Sequence, residues 1–204
     1  MNVKANKKIL EIEEVNDAFF CPASGDAGTA VGAALEGYFG LSAEDGTKPQ
    51  KVPIKDIYWG TSFTNEQIKD SLKTSGLLQN AEYIDDIDEE IGELIAKPNV
   101  IVARFNGRME WGPRGLGNRS ILANPTEFTI TRSLNQVIKM RDFWMPFAPS
   151  ILTSRIDDYL VNSTNSPYMI LAFDTTDKRN DLSAAVHPYD FTCRPQTVDS
   201  NYNI

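Results

Sequence analysis

The most constraining stretch of this chain is the switch of period between Ile84 and Gly107. Ile84, Ile87, Ile91, Leu94 and Ile95 recur at three- and four-residue steps, while Asp85, Asp86, Asp88, Glu89, Glu90 and Glu93 fill the opposite face. That pattern predicts an amphipathic helix, closed by Pro98. Val100 to Phe105 is then β-branched and apolar and runs directly into Asn106-Gly107, which predicts a buried strand ending in a turn. With the further helices and strands read along the chain, this alternation indicates an α/β domain.

The run after that strand carries the chemistry. Gly107 to Pro125 reads GRMEWGPRGLGNRSILANP, with three arginines and four glycines in nineteen residues of a protein whose net charge is -8. Arg108, Arg114 and Arg119 each offer a planar fork of donors, and the glycines let backbone N–H groups approach a ligand closely. The segment reads as an anion-binding loop. Taken alone, it equally describes a solvated loop whose arginines pair with the acidic helix. An excess of 28 acidic over 20 basic side chains argues against nucleic acid and anionic membranes as partners, and favours a small phosphorylated ligand met by a local patch. No apolar run approaches a membrane span. With only Cys21 and Cys193, and no secretory leader pattern, a cytoplasmic location is expected.

Elsewhere the sequence predicts a short helix over Ala5 to Leu10, a strand over Val15 to Phe20, a turn over Pro22 to Gly28 and a helix of small residues over Ala27 to Leu35. This first unit is too small to bury a core alone. Gly40 to Pro53 reads as a linker. Thr64 and Gln67 stand at capping-box spacing before a helix that Gly76 stops. Ile130, Leu134, Val137 and Ile138 predict another helix, and Phe143 to Leu152 and Tyr168 to Phe173 predict buried strands separated by a polar, partly helical stretch.

The arginine run is similar to the G-R-M-E-x-G-P-R-A-L-G-N-R-S-I-L-A pattern of the O-carbamoyltransferases of nodulation-factor and antibiotic biosynthesis, differing mainly at Gly115. The resemblance continues through IKMRDFWMPFAPSIL, SPYMILAF and FTCRPQTV, and upstream through MNVKANKKI and GDAGTAVGAAL, so it covers essentially the whole chain. It implies a YrdC-like twisted mixed sheet with flanking helices over residues 41–204. Residues 1–40 would be the strand-helix tail of a Kae1-like domain of the ASKHA type. It implies further that the YrdC-like part condenses ATP, with Mg²⁺, and carbamoyl phosphate to carbamoyl-adenylate, and that the Kae1-like part passes the carbamoyl group to a small-molecule hydroxyl acceptor.

Carried over by motif register, Arg114 and Lys139 are the catalytic cations, and Arg108, Asn118, Arg119, Ser120, Arg141 and Arg194 bind nucleotide and carbamoyl phosphate. Asp26, in GDAG, is similar to the carboxylate of an iron-type divalent metal site that the resemblance implies only in a full-length protein, since the H-x-x-x-H partners are absent from this sequence; its sole histidine is His187, and within this chain Asp26 reads as a turn residue ahead of a helix. Two departures stand out. Met145 occupies a position where the family has arginine, and HPYDFTCR replaces H-x-D-G-T-x-R, with Phe191 in place of glycine. The family also continues beyond Ile204 into an N-T-S-F-N segment, so the resemblance implies a fragment. Three functional expectations therefore stand side by side: part of a carbamoyltransferase, a non-catalytic module binding an anion or RNA, and an inactive remnant. Exposed apolar surface on such a piece would permit a homo-oligomer.

Overall fold

The computed structural model describes residues 2–51 and 53–200. Met1, Val52 of the expected linker and the last four residues of the expected second unit lie outside them.

Six α-helices and six short strands make up the described chain, a mixed α/β arrangement. Helix α1, Val3–Leu10, is capped by the Asn2 side chain, which accepts from the Lys4 and Ala5 N–H groups. Val15 to Phe20 joins none of the strands of the described residues, so the expected strand there is absent; Phe20 instead packs against the main apolar cluster. Helix α2 spans Asp26–Glu44, nine residues beyond the expected end at Leu35, and closes at Gly46. The linker is correspondingly shorter at its start. Asp26 sits in the first turn of α2, where the exposed N–H groups favour a carboxylate.

The capping box is present as the spacing predicts. Thr64 Oγ1 accepts from the Gln67 N–H, Gln67 Oε1 accepts from the Thr64 N–H, and helix α3 runs Asn65–Thr74. Helix α4, Ile87–Ala96, starts three residues later than the periodicity begins, because the Asp86 side chain caps it by accepting from the Glu89 N–H. Strand β1, Ile101–Phe105, pairs antiparallel with β2, Arg119–Ala123. The expectation of a buried β1 fails: its residues alternate between exposed and half-buried, since β2 is its one ladder neighbour and α4 packs on it.

Helix α5, Phe128–Ser133, runs into a π-helical turn, Leu134–Lys139, that ends at Met140 in the left-handed region (φ 50°). The remaining strands are shorter than the sequence predicts. Of Phe143 to Leu152 only β3, Ser150–Leu152, is a strand, and of Tyr168 to Phe173 only the last residue enters β4, Phe173–Asp174. Helix α6, Ile156–Tyr159, lies between them. Strand β5, Thr192–Cys193, pairs antiparallel with β4, and β6, Gln196–Val198, pairs parallel with β3. In place of one twisted mixed sheet, the described residues form three separate two-stranded ladders.

Burial concentrates in the C-terminal half. Ile151, Leu160, Ile170, Leu171, Phe173, Leu182, Val186 and Cys193 form the largest cluster, which explains why Tyr168 to Phe173 is apolar without being a strand. Ile57, Leu116 and Met169 form a second, and Ile130, Leu134 and Ala184 a third. The N-terminal elements are tied to this half. Asn6 Nδ2 donates to the Ile170 carbonyl at 2.8 Å, Lys7 pairs with Asp174 at 2.6 Å, and Lys4 pairs with Asp190. Ala23, almost fully buried, is gripped between Gly28 and Gly112: a Cβ on Gly28 would lie 2.0 Å from the Ala23 carbonyl oxygen. Among the described residues no helix is long and apolar enough to cross a membrane.

Candidate functional site: a cationic cavity beside the β1–β2 loop

The arginine run is the long connection of the β1–β2 hairpin, and a single carboxylate holds its shape. Glu110, whose side chain is 2% exposed, accepts through Oε1 from the N–H groups of Leu116, Asn118 and Arg119 at 2.8, 3.0 and 3.0 Å. Its Oε2 accepts from Arg119 Nη2 at 2.7 Å. Burial opposes ionisation of Glu110, but the Leu116 and Arg119 N–H groups and the Arg119 guanidinium outweigh it, and the carboxyl titrates below its ordinary range. Gly117 N–H donates to Ser120 Oγ at 2.9 Å. Leu116 inserts into the second apolar cluster, and its carbonyl accepts from Tyr58 Oη and from Gln196 Nε2, both at 2.8 Å. Backbone bonds from Gly60 to Met109 and from Trp111 to Ile57 fasten the outer side of the loop to residues 57–60.

Against this loop lies a cavity of about 390 Å³. Arg114, Arg119 and Ser120 reach it from the loop and the start of β2, Lys139 and Arg141 from the end of the π-helical turn and the residues after it, and Arg194 from between β5 and β6. Five cationic side chains therefore share one cavity. Glu110 neutralises Arg119, whereas among the described residues no ion pair joins a carboxylate to Arg114, Lys139, Arg141 or Arg194. Arg114 Nε is buried without a hydrogen-bond partner. Burial, together with the charges of Arg114 and Arg141, pushes the Arg194 guanidinium down to about 10, and burial and Arg114 push Arg141 down as well. The protein gathers positive charge, most of it without a carboxylate partner among the described residues, around a cavity open to solvent on one side, an arrangement complementary to a ligand with several anionic oxygens.

Two of the expected ligand residues point elsewhere. Arg108 donates to the carbonyls of Gly60 and Trp59 at 3.0 and 3.3 Å, and it fastens the loop rather than lining the cavity. Asn118 is buried, donates through Nδ2 to the Arg108 carbonyl at 2.7 Å and lies behind the loop. Neither do the loop arginines pair with the acidic helix: the residue that does is Arg104 of β1, 3.0 Å from Asp88.

Asp26 lies in the first turn of α2, and among the described residues no group of three or more His, Cys, Asp or Glu side chains is placed to hold a metal ion. Met145 does not line the cavity; its carbonyl accepts from Asn135 Nδ2 at 2.8 Å. Phe191 occupies the left-handed region, φ 57°, that a glycine would enter without strain, and Arg179 lies 4.3 Å over its ring.

Sequence reasoning missed three residues. Glu110 is visible in the motif, but its burial is not. Gln196 lines the cavity from β6 while bonding Leu116, and Asn135 bonds Arg141 from within the π-helical turn; no local pattern marks either one.

Comparison with known proteins gives this cationic cavity a family. Residues 93–204 match the family described as Carbamoyltransferase C-terminus, more than half of the chain, and the chain belongs to that family. Among its relatives are an uncharacterized protein of Methanocaldococcus jannaschii, 36% identical over 99% of this chain, and the nodulation protein NolNO of Sinorhizobium fredii, 34% identical over 99%. The nodulation protein U of Rhizobium fredii is 30% identical over 98%. The chain spans 37%, 30% and 32% of these three relatives, about a third of their length.

Proposed function

We propose that this chain supplies the substrate-activating chamber of an ATP-dependent O-carbamoyltransferase. The observation that carries the reading is the convergence of Arg114, Arg119, Lys139, Arg141 and Arg194 on one cavity, four of them without a carboxylate partner among the described residues. ATP and carbamoyl phosphate both present clustered phosphate oxygens: water cleaves carbamoyl phosphate to carbamate and inorganic phosphate, and a carbamate oxygen then attacks the α-phosphorus of ATP, forming carbamoyl-adenylate as the α–β anhydride bond breaks and pyrophosphate leaves with the negative charge. Fixed cations aimed at that charge lower the barrier by positioning and electrostatic stabilisation, with no protein nucleophile required.

In this reading Arg114 and Lys139 face the oxygens on which charge builds. Arg141, Arg194 and the Ser120 hydroxyl hold the remaining oxygens, and Arg119 fixes the loop through Glu110 while presenting its free edge to the cavity. Arg108 and Asn118 act behind the loop. Mg²⁺ would enter on the phosphates themselves, a mode that needs few protein carboxylates.

The same reading takes residues 41–204 as YrdC-like and residues 1–40 as the tail of a Kae1-like domain, in which the carbamoyl group passes to a hydroxyl of a small acceptor. A cytoplasmic enzyme would have both activated substrates at hand. The test is isothermal titration with ATP·Mg²⁺ and with carbamoyl phosphate, on the chain and on Arg114→Ala. Heats that vanish or fall sharply in the variant support the assignment; equal heats from both proteins overturn it.

A further inference from the structure

Asn135 is fully buried, yet every one of its polar side-chain atoms is used. Nδ2 donates to the carbonyls of Phe143 and Met145 at 3.1 and 2.8 Å, and Oδ1 accepts from Arg141 Nε at 2.6 Å. The amide can face only one way, because an arginine side chain donates and never accepts while backbone carbonyls only accept. The backbone repeats the link: the Asn135 carbonyl accepts from the Arg141 N–H at 3.1 Å.

Two features bring these residues face to face. The π-helical turn Leu134–Lys139 widens the end of the helix, and Met140, at φ 50°, reverses the chain so that Arg141 folds back over the turn that precedes it. Met140 itself is 82% exposed, so packing does not account for a conformation disfavoured for a side chain of its kind. Local backbone strain of this sort persists where the surroundings fix it and recurs at functional sites. On its other side the Arg141 guanidinium lies 4.7 Å over the Phe147 ring. Its Nε is thus claimed by Asn135 and its face by Phe147, while its terminal nitrogens make no hydrogen bond among the described residues and Arg141 lines the cavity.

We propose that Asn135 is a positioning residue: through Arg141 Nε it fixes the guanidinium so that the two terminal nitrogens meet an anionic oxygen of the bound ligand beside Arg114 and Arg194. This deepens the function proposed above and rests on it for the identity of the cavity. A guanidinium held at Nε and over its face gives up little conformational freedom on binding, so its bonds to the ligand are not offset by ordering.

The test uses inorganic pyrophosphate as the probe, on the full chain and on Asn135→Ala, Arg141→Ala and the double variant. Arg141→Ala is expected to weaken binding about tenfold, the scale of a hydrogen bond to a charged group, and Asn135→Ala to weaken it comparably, with the double variant no worse than Arg141→Ala alone. In the unsubstituted protein the Arg141 Nε–H resonance is expected downfield and slow to exchange, a reading that holds even if Asn135→Ala fails to fold. If Arg141→Ala binds pyrophosphate unchanged, the cavity assignment itself falls and this proposal with it. If Arg141→Ala binds weakly but Asn135→Ala binds normally, or if the two losses simply multiply, the cavity stands and Asn135 has no positioning role. An Nε–H resonance that exchanges like that of a free arginine overturns the proposal without touching the cavity.

Discussion

Glu110 collects three backbone N–H groups and one guanidinium on a single buried carboxylate, so its removal orphans several donors at once. Glu110→Ala should cost about 3 kcal/mol in urea unfolding at neutral pH. Because its folded carboxyl titrates below the unfolded value, its stabilisation is present above about pH 4.3 and is lost as pH falls through the lower folded value. Glu110→Gln should therefore flatten the acid limb of a stability-versus-pH curve; an unchanged limb would mean that the carboxylate charge is not what holds the loop. Arg194 behaves oppositely. It stays charged at neutral pH, half-buried with like charges nearby, and its folded form bears the cost. Arg194→Met should leave the ligand-free protein as stable or more stable by about 1 kcal/mol, while reducing the rise in melting temperature expected with pyrophosphate. A variant that loses stability yet keeps the full pyrophosphate shift would show that Arg194 serves packing alone.

Among the elements, the ones with complete local instructions are those that match the sequence reading. α3 has both halves of its capping box and a stop at Gly76, whose φ is 67°. No residue of α3 is buried, so its caps carry much of its order, and Thr64→Ala should cost the helix about 1 kcal/mol. Amide exchange across 65–74 should then accelerate while the global unfolding midpoint stays put; uniform acceleration through the molecule would show instead that α3 unfolds only with the rest. The strands behave differently. Phe143 to Leu152 and Tyr168 to Phe173 have strand composition, but a strand is decided by the neighbour it pairs with, and here the chain spends most of those residues packing a core of loops and short helices. The arginine run obeys the same rule: its glycines and caps make a loop, but its course is set by Glu110, Leu116 and residues 57–60.

At the scale of the molecule, the main core binds Cys193 so tightly that burial pushes its thiol up to about 12. Thiol reagents should label Cys193 only as fast as the protein unfolds, and pyrophosphate should slow that labelling by stabilising the folded state; labelling at the rate of an exposed thiol would place Cys193 outside the cooperative core. The sequence by itself determined the mixed α/β class, the capping box and stop of α3 and the one run in which glycines and arginines are interleaved, because each depends on residues within a turn or two of one another. The tertiary structure alone decided which cations face one another. Lys139, Arg141 and Arg194 come from segments 25 to 80 residues beyond Arg114, and no local rule carries a direction over such distances. It also turned Arg108 and Asn118 behind the loop and made Glu110 and Asn135 the fixed points of the site, because burial and hydrogen-bond closure are properties of packed neighbours and not of any one stretch of chain.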